Sequence, residues 1–564
     1  MSRLLLSCVG LLVAVSLTAC SGSPASSTSG TTPAVPLYPE LGTYHYAVST
    51  GSPEAQQYFD QGMRLSYGFN HAEGIRAFEH AAMLDPQCAM CYWGVAYALG
   101  PNINAPITPE AAKKAWETIG QAKRASRATE KERAFIDALA TRYAADPAAD
   151  RGPLDKAYAV AMGALAARYP DDTEAATLYA QSLMDTSPWN YWDHDGTPRQ
   201  FTNDVLAALE SVLQRQPDHI GAIHLYIHAV EASPDPKRAE PYADRLAALA
   251  PGAGHLVHMP GHIYLRTGRY HDASLANDNA VKADLAYLQA NRVAGNMTYE
   301  IGYVPHNFHF FVTSASLEGR RADALKAAGE VRAKMHAEML RDPAMGGMVQ
   351  HMTLSPLYTK VAFAMWDDVL AEPAPPEGLP FMTAMWQTAR GLAVAGLGRA
   401  DEADAALAAV ARAAEDPSLA NTYISSANQA PAIVAIGQAV LSGEIAARRR
   451  RAADAARHFE RAAALEDALT YMEPPDWPVP VRRLQGAALL ELGRAKDAEA
   501  AFRGDLRKFP DNGWSLSGLQ AALERQSRTA DAQAVKARFA EQWKQADIQI
   551  VAGRPVTRTS PAVR

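Results

Sequence analysis

Residues 58–86 read YFDQGMRLSYGFNHAEGIRAFEHAAMLDP, and residues 481–510 read VRRLQGAALLELGRAKDAEAAFRGDLRKFP. Each stretch holds two helix-length apolar patterns around a short polar turn, and each closes on a proline that cannot continue a helix. Small and aromatic residues punctuate both: Gly62, Phe78, Ala81 and Pro86 in the first, Gly486, Ala498, Phe502 and Pro510 in the second. Between them the segments RTGRYHDA, LEGRRADA and GLGRADEA repeat one turn signature, Gly268/Ala273, Gly319/Ala324 and Gly398/Ala403. Further helical pairs are readable around 155–185, 201–250, 430–470 and 513–545.

A helix–turn–helix unit recurring at about 34 residues with this punctuation resembles the tetratricopeptide (TPR) repeat. The resemblance covers roughly residues 54–545. It implies an all-α solenoid of helical hairpins wound as a right-handed superhelix, in which no pair buries its apolar face alone and neighbours share one core. The alanine-rich, almost strand-free composition agrees. A solenoid over 51–545 is therefore expected, and the resemblance implies a groove open to a protein or peptide partner, the common use of such folds.

The repeat phasing also orders the histidines. Pro217 and Pro251 each close a repeat, so the next copies start near Ile220 and Gly254, and Gly319/Ala324 place a third start near Pro305. Counted from those starts, the second, fifth and ninth residues are Gly221, His224 and His228; then His255, His258 and His262; then His306, His309 and Thr313. Seven of these nine slots are histidine in a chain of 564 residues with 16. At about 100° per residue the three positions share a narrow arc of one helix face. In TPR proteins the first helices line the concave surface, so the resemblance implies a histidine-lined groove at about 220–315. Trp366, read as a turn aromatic, makes His351 the second residue of the following copy and extends the row.

Imidazoles on packed helices about 8–10 Å apart reach one ion, and His224/His228 and His258/His262 have the i,i+4 spacing that chelates a single metal. Pro260 must disturb the helix between the second pair. The inventory allows two metals with three histidines each; recognition of an anion or acidic peptide, or plain packing, are the alternatives. Imidazole suits zinc, copper and iron. Copper is favoured because Met345, Met348 and Met352 stand beside His351, although methionines at helical spacing also read as core. Candidate acid–base or carboxylate groups are Glu231, Asp185, Glu300 and Tyr303. The expected function is metal-dependent, either a metalloenzyme (an oxidoreductase or a hydrolase) or a metal-holding factor, set against a non-enzymatic adaptor. The segments HMPGHIYLRTGRY and PHNFHF resemble those of large bacterial TPR lipoproteins, a likeness that implies no particular reaction.

The ends carry a different message. Arg3, the apolar run LLLSCVGLLVAVSL and Leu17-Thr18-Ala19-Cys20 form a secretory signal over 1–19 that resembles a lipobox, with cleavage before Cys20 and lipid on its thiol. Residues 20–50 are read as a lipidated tether, led by the Ser/Thr/Gly/Pro run SGSPASSTSGTTPA, and 546–564 as a C-terminal tail. Serine after Cys20 resembles the sorting pattern of outer-membrane lipoproteins facing the periplasm, so the expected place is the bacterial cell envelope. A net charge of −7 without a basic half argues against nucleic acid. Of four cysteines, Cys88 and Cys91 remain in the mature chain. In an oxidising envelope a C-x-x-C pair usually forms a disulfide; a metal or redox role is the alternative, but the βαβ context of a thioredoxin-like motif is missing. Long loops at 100–110, 186–200, 370–380 and 471–480 are of the kind that forms the lid or rim of a site; the richest, with Trp189, Tyr191, Trp192, Asp193, His194 and Asp195, reads equally as an aromatic plug that packs an end of the groove.

Overall fold

The computed structural model describes residues 35–291, 296 and 298–556. The signal segment, Cys20 and residues 557–564 lie outside them. From Leu37 onward the chain is one compact unit of successive helix pairs, from Pro53–Tyr67 with His71–Leu84 to Gly513–Glu524 with Thr529–Gln542. The fold is an all-α TPR-type solenoid.

The punctuation is physical contact. A Cβ on Gly62 would lie 2.5 Å from the Phe78 ring and one on Gly94 2.4 Å from it, so the ring is held between two helices that approach at glycine. Phe502 sits in the same way between Gly486 and Gly518. Gly268, Gly319 and Gly398 have φ near +80°, the left-handed turn their signature requires. Helix Ala430–Arg448 is long and apolar enough to cross a membrane, but most of it is buried as a core helix.

The stack closes on its own middle. Tyr38 Oη donates to Asn291 Oδ1 (2.5 Å) and Tyr287 Oη to Glu73 Oε2 (3.3 Å), tying the first repeat to the region after 220. From the other end, Tyr270 Oη donates to the Pro510 carbonyl (2.7 Å), and Trp514 Nε1 to that of Ser316 (2.7 Å). The central repeats, which carry the histidines, are thus covered from both sides.

Two boundaries differ from the sequence reading. Residues 37–50, assigned to the tether, pack on the first repeats: His45 Nδ1 lies 2.7 Å from Asp60, Tyr46 Oη 3.1 Å from Asp172, and the Ser49 N–H donates to Glu132 (2.6 Å). The Ser/Thr/Gly/Pro composition ends before this stretch, whose tyrosines supply buried area and hydroxyls together. The C-terminal tail is also docked as far as Val556: Ile550–Val551 pairs with Arg554–Pro555, and Asp547 accepts from the backbone N–H groups of Arg321 and Ala322 (2.8 Å each).

Replacing Phe78 with Ala empties the space between two glycine-lined helices that cannot collapse without shifting backbone. The expected loss is about 3–5 kcal/mol, read as a lowered urea midpoint; a loss below about 1 kcal/mol would show the contact to be dispensable.

Candidate metal centre

The three phased starts are real helix starts: Ile220–Val230, Gly254–His258 continuing as Pro260–Thr267, and Val304–Leu317. Pro260 splits the second helix, and the His262 N–H bonds the Met259 carbonyl at 3.2 Å. The expected groove is not open. His224, His228, His255, His258 and His262 are at most 2% exposed, and His306 is half-buried. The row is interior because the first repeat and the 471–480 loop cover it.

Six histidines resolve into two triads, His224/His228/His255 and His258/His262/His306, with the ligand atoms within each lying within 4.8 Å of one another. The triads abut, with the His228 and His262 rings 5.3 Å apart and those of His255 and His258 5.6 Å apart.

Four of the rings are oriented from behind. His224 Nδ1 lies 2.6 Å from the Tyr67 carbonyl, which can only accept, so this nitrogen carries the proton and Nε2 keeps its lone pair. His258 Nδ1 faces Asn277 Oδ1 at 2.7 Å; the amide is fixed by its own donation to the Ala273 carbonyl (2.8 Å). Glu231 serves two rings at once, Oε1 at 2.8 Å from His228 Nδ1 and Oε2 at 2.5 Å from His262 Nδ1. Glu473 Oε2 stands 3.1 Å from the same His262 nitrogen.

The inward-facing nitrogens meet one another. His258 Nε2 and His262 Nε2 face each other at 2.9 Å, and His224 Nε2 faces His255 Nε2 at 3.1 Å. His228 Nε2 and His255 Nδ1 are buried with no hydrogen-bond partner among the described residues. Burial, together with neighbouring histidines, pushes His224, His228, His255, His258 and His306 well below the usual imidazole range, the neutral state of a ligand. Burial also pulls on His262, but the Glu231 and Glu473 carboxylates more than reverse it, to about 9. Burial raises Glu473 in turn.

Of the remaining candidates, Glu231 joins the centre. Tyr303 sets its ring, tilted, 4.7 Å from His255 and its hydroxyl accepts from Asn104 (3.3 Å), bringing the 100–110 loop to the edge of the site. Asp185 is instead paired with buried Arg142 at 2.9 Å, while burial holds it up at about 6. Glu300 is exposed. His309 and His351 stand apart from both triads, with rings 6.1 Å from each other. The helix that carries His351, Gly346–Thr353, breaks before Ser355–Ala362, so the row does not continue in register. Met345 and Met348 pack into another core, which removes their support for copper. Cys88 and Cys91 are joined in a disulfide.

Sequence reasoning missed Phe69, Asn277 and Glu473 and did not assign Trp189 to the centre. Phe69 (φ +53°) and Trp189 (φ +61°) are large residues in left-handed backbone, a strained conformation for them. Phe69 lays its ring 4.4 Å from His224 and 5.2 Å from His255, and Trp189 sits 5.0 Å from His228. Trp189 and Glu473 also line a cleft of about 760 Å³. Its rim is built from the 186–200 and 471–480 loops, as expected of them, whereas Glu372 in the 370–380 loop pairs with Lys360 and Arg332 elsewhere.

No family model and no curated protein matches the chain. Among solved structures it is similar to Cut9 of the APC/C Cut9–Hcn1 hetero-tetramer (13% identity, 87% of this chain and 76% of that one, TM-score 0.28). It is also similar to human IFIT1 with m7Gppp-AAAA (11%, 89% and 91%, TM-score 0.30) and to yeast Tom70 (11%, 88% and 91%, TM-score 0.26). At these identities and TM-scores the likeness carries no argument about this chain.

The pair outside the triads gives a pH test. Burial pushes His309 down to about 4, and burial with His309 nearby pushes His351 to about 3. Their unfolded counterparts bind protons below about pH 6.5 while the folded ones do not. Each therefore removes up to about 1.4 kcal/mol of stability per pH unit as pH falls from 6.5 toward the folded value. His351→Gln should flatten the decline of the urea midpoint between pH 6.5 and 4.5; a profile parallel to wild type would mean that His351 protonates freely in the folded state.

Proposed function

We propose that the two triads hold a pair of adjacent transition-metal ions and that the chain is a metal-dependent oxidoreductase of the bacterial envelope. The observation that carries this reading is the back-side orientation of His224, His228, His258 and His262. With Nδ1 protons committed to a carbonyl, an amide and a shared carboxylate, these rings turn their Nε2 atoms inward: His224 and His258 accept from His255 and His262 at 3.1 and 2.9 Å, and His228 Nε2 has no hydrogen-bond partner among the described residues. A buried polar atom without a partner costs about 1–3 kcal/mol, and a cation held by the inward nitrogens would replace both that loss and the shared protons. Carboxylate–histidine pairs behind the ligands are the usual support of a metal site.

The donor set is all imidazole, which suits copper, zinc or iron. Charge favours copper: Glu231 and Glu473 are the buried carboxylates at the rings, and two carboxylates balance two monovalent ions, whereas two divalent ions need further anions. Copper on imidazole supplies one-electron and dioxygen chemistry. The chain's own part is to orient the rings through Tyr67, Asn277 and Glu231, to hold two Nδ1 protons on Glu231, and to exclude water with Phe69, Phe310 and Trp189. The cleft behind Trp189 and Glu473 gives a substrate a place beside the centre. A peptide adaptor is less favoured, because the histidines are sealed and offer a partner chain no surface.

Elemental analysis of the mature chain from Ser21, made without a metal-affinity tag, is expected to find two equivalents of copper. His258→Ala/His262→Ala should lose at least one of them. Glu231→Gln, which keeps shape but offers only one carbonyl to two donors, should weaken binding about 10–100-fold. A wild-type protein that stays empty after titration with Cu(I), Zn(II) and Fe(II) would end the metal reading.

The lipobox-like Leu17–Cys20 supports export and lipid anchoring. Cys20→Ser is expected to move the protein from the membrane to the soluble fraction of the envelope; unchanged membrane association would exclude a lipid on that thiol.

A further inference from the structure

A second, smaller cavity lies between the Val304–Leu317 and Ser355–Ala362 helices and the 475–483 segment. It has about 40 Å³ of space open to a water centre and shares Pro475, Trp477 and Phe509 as walls with the large cleft. At about 10–15 Å³ per water it has room for about three, the size of a carboxylate or a tetrahedral oxyanion.

Its lining is one-sided. Arg483 is the charged residue, and no Asp or Glu lines it. Arg483 is 4% exposed and donates Nη2 to the Ala362 carbonyl (2.7 Å), and its guanidinium stacks 3.5 Å from the Trp514 ring centre, but its Nε has no partner. The nearby carboxylate of Asp505 is already taken by Ser515 (2.6 Å) and Asn512 (3.0 Å). Trp477 Nε1, which can only donate, and Ser355 Oγ are also buried, line the cavity and lack partners.

A buried guanidinium whose Nε is left unpaired is costly even with Asp505 nearby, and here two further orphaned donors share its cavity. We propose that this cavity is an oxyanion site, with Arg483, Trp477 and Ser355 as donors. It takes either a small free oxyanion or the carboxylate end of a molecule lying in the adjoining cleft. The site is independent of the two triads, and metal-free protein suffices to test it.

Calorimetric titration of the full mature chain would use formate, inorganic phosphate and benzoate, with chloride as the ionic-strength control. Saturable binding of at least one oxyanion is expected, weakened about tenfold by Trp477→Phe and by Ser355→Ala, each of which removes one donor. Both variants are checked for a wild-type circular dichroism spectrum. Benzoate binding tighter than formate assigns the carboxylate of a cleft ligand; phosphate or formate binding alone assigns a free oxyanion. Heats no different from chloride, or affinities untouched in both folded variants, would overturn the proposal and leave a water-filled cavity.

Discussion

One carboxylate organises the interior. Glu231 receives the Nδ1 sides of His228 from its own helix and His262 from the next, at 2.8 and 2.5 Å. That bridge fixes both tautomers and the relative rotation of two helices, and it brings the two triads edge to edge. It is also the charge that tolerates a buried imidazolium at His262. Remove it, and the two rings that join the triads lose their common reference.

Such an interior is possible only because the solenoid closes. A TPR stack left open would present the first-helix histidines to water, where each nitrogen finds a partner and nothing forces convergence. Here the Tyr67 carbonyl and Phe69 of the first repeat reach His224 in one triad, and Glu473 of a late loop reaches His262 in the other. Desolvation then makes the arrangement selective: imidazoles kept neutral by burial present lone pairs, and lone pairs facing one another at about 3 Å are stable only around a cation or a shared proton.

Much of this was legible because the repeat imposes a register. Gly62 and Phe78 mark a contact between helices, and proline and glycine punctuation fixes where each first helix begins, so His224, His258 and their i,i+4 partners fall on one face. The register fails where the helix does: the break after Thr353 carries His351 out of line, and His309, one position of the same row, turns toward it and away from the triads. What the sequence could not convey is long-range closure. Nothing in local periodicity links Glu473 to His262, or Tyr38 to Asn291, and the expectation of an open groove followed from treating repeats as nearest-neighbour units. The tether and tail boundaries failed for a related reason, since composition locates polar runs but not the tyrosines and carboxylates that dock on a distant repeat.

Two aromatics in left-handed backbone, Phe69 and Trp189, tie the triads to their surroundings. Phe69 fills the left-handed turn slot that Ala364, Arg450 and Ser527 occupy in other repeats, so its conformation belongs to the repeat, and what is particular to it is the ring it lays on the histidines. Both conformations aim a ring at His224 or His228, and Trp189 presents another part of itself to the 760 Å³ cleft. Glu473 shares that double position, at the His262 ring on one side and the cleft on the other. The triads thus meet the cleft at an aromatic wall and a carboxylate, the two kinds of side chain needed to seal a centre from bulk water while leaving it a route for protons.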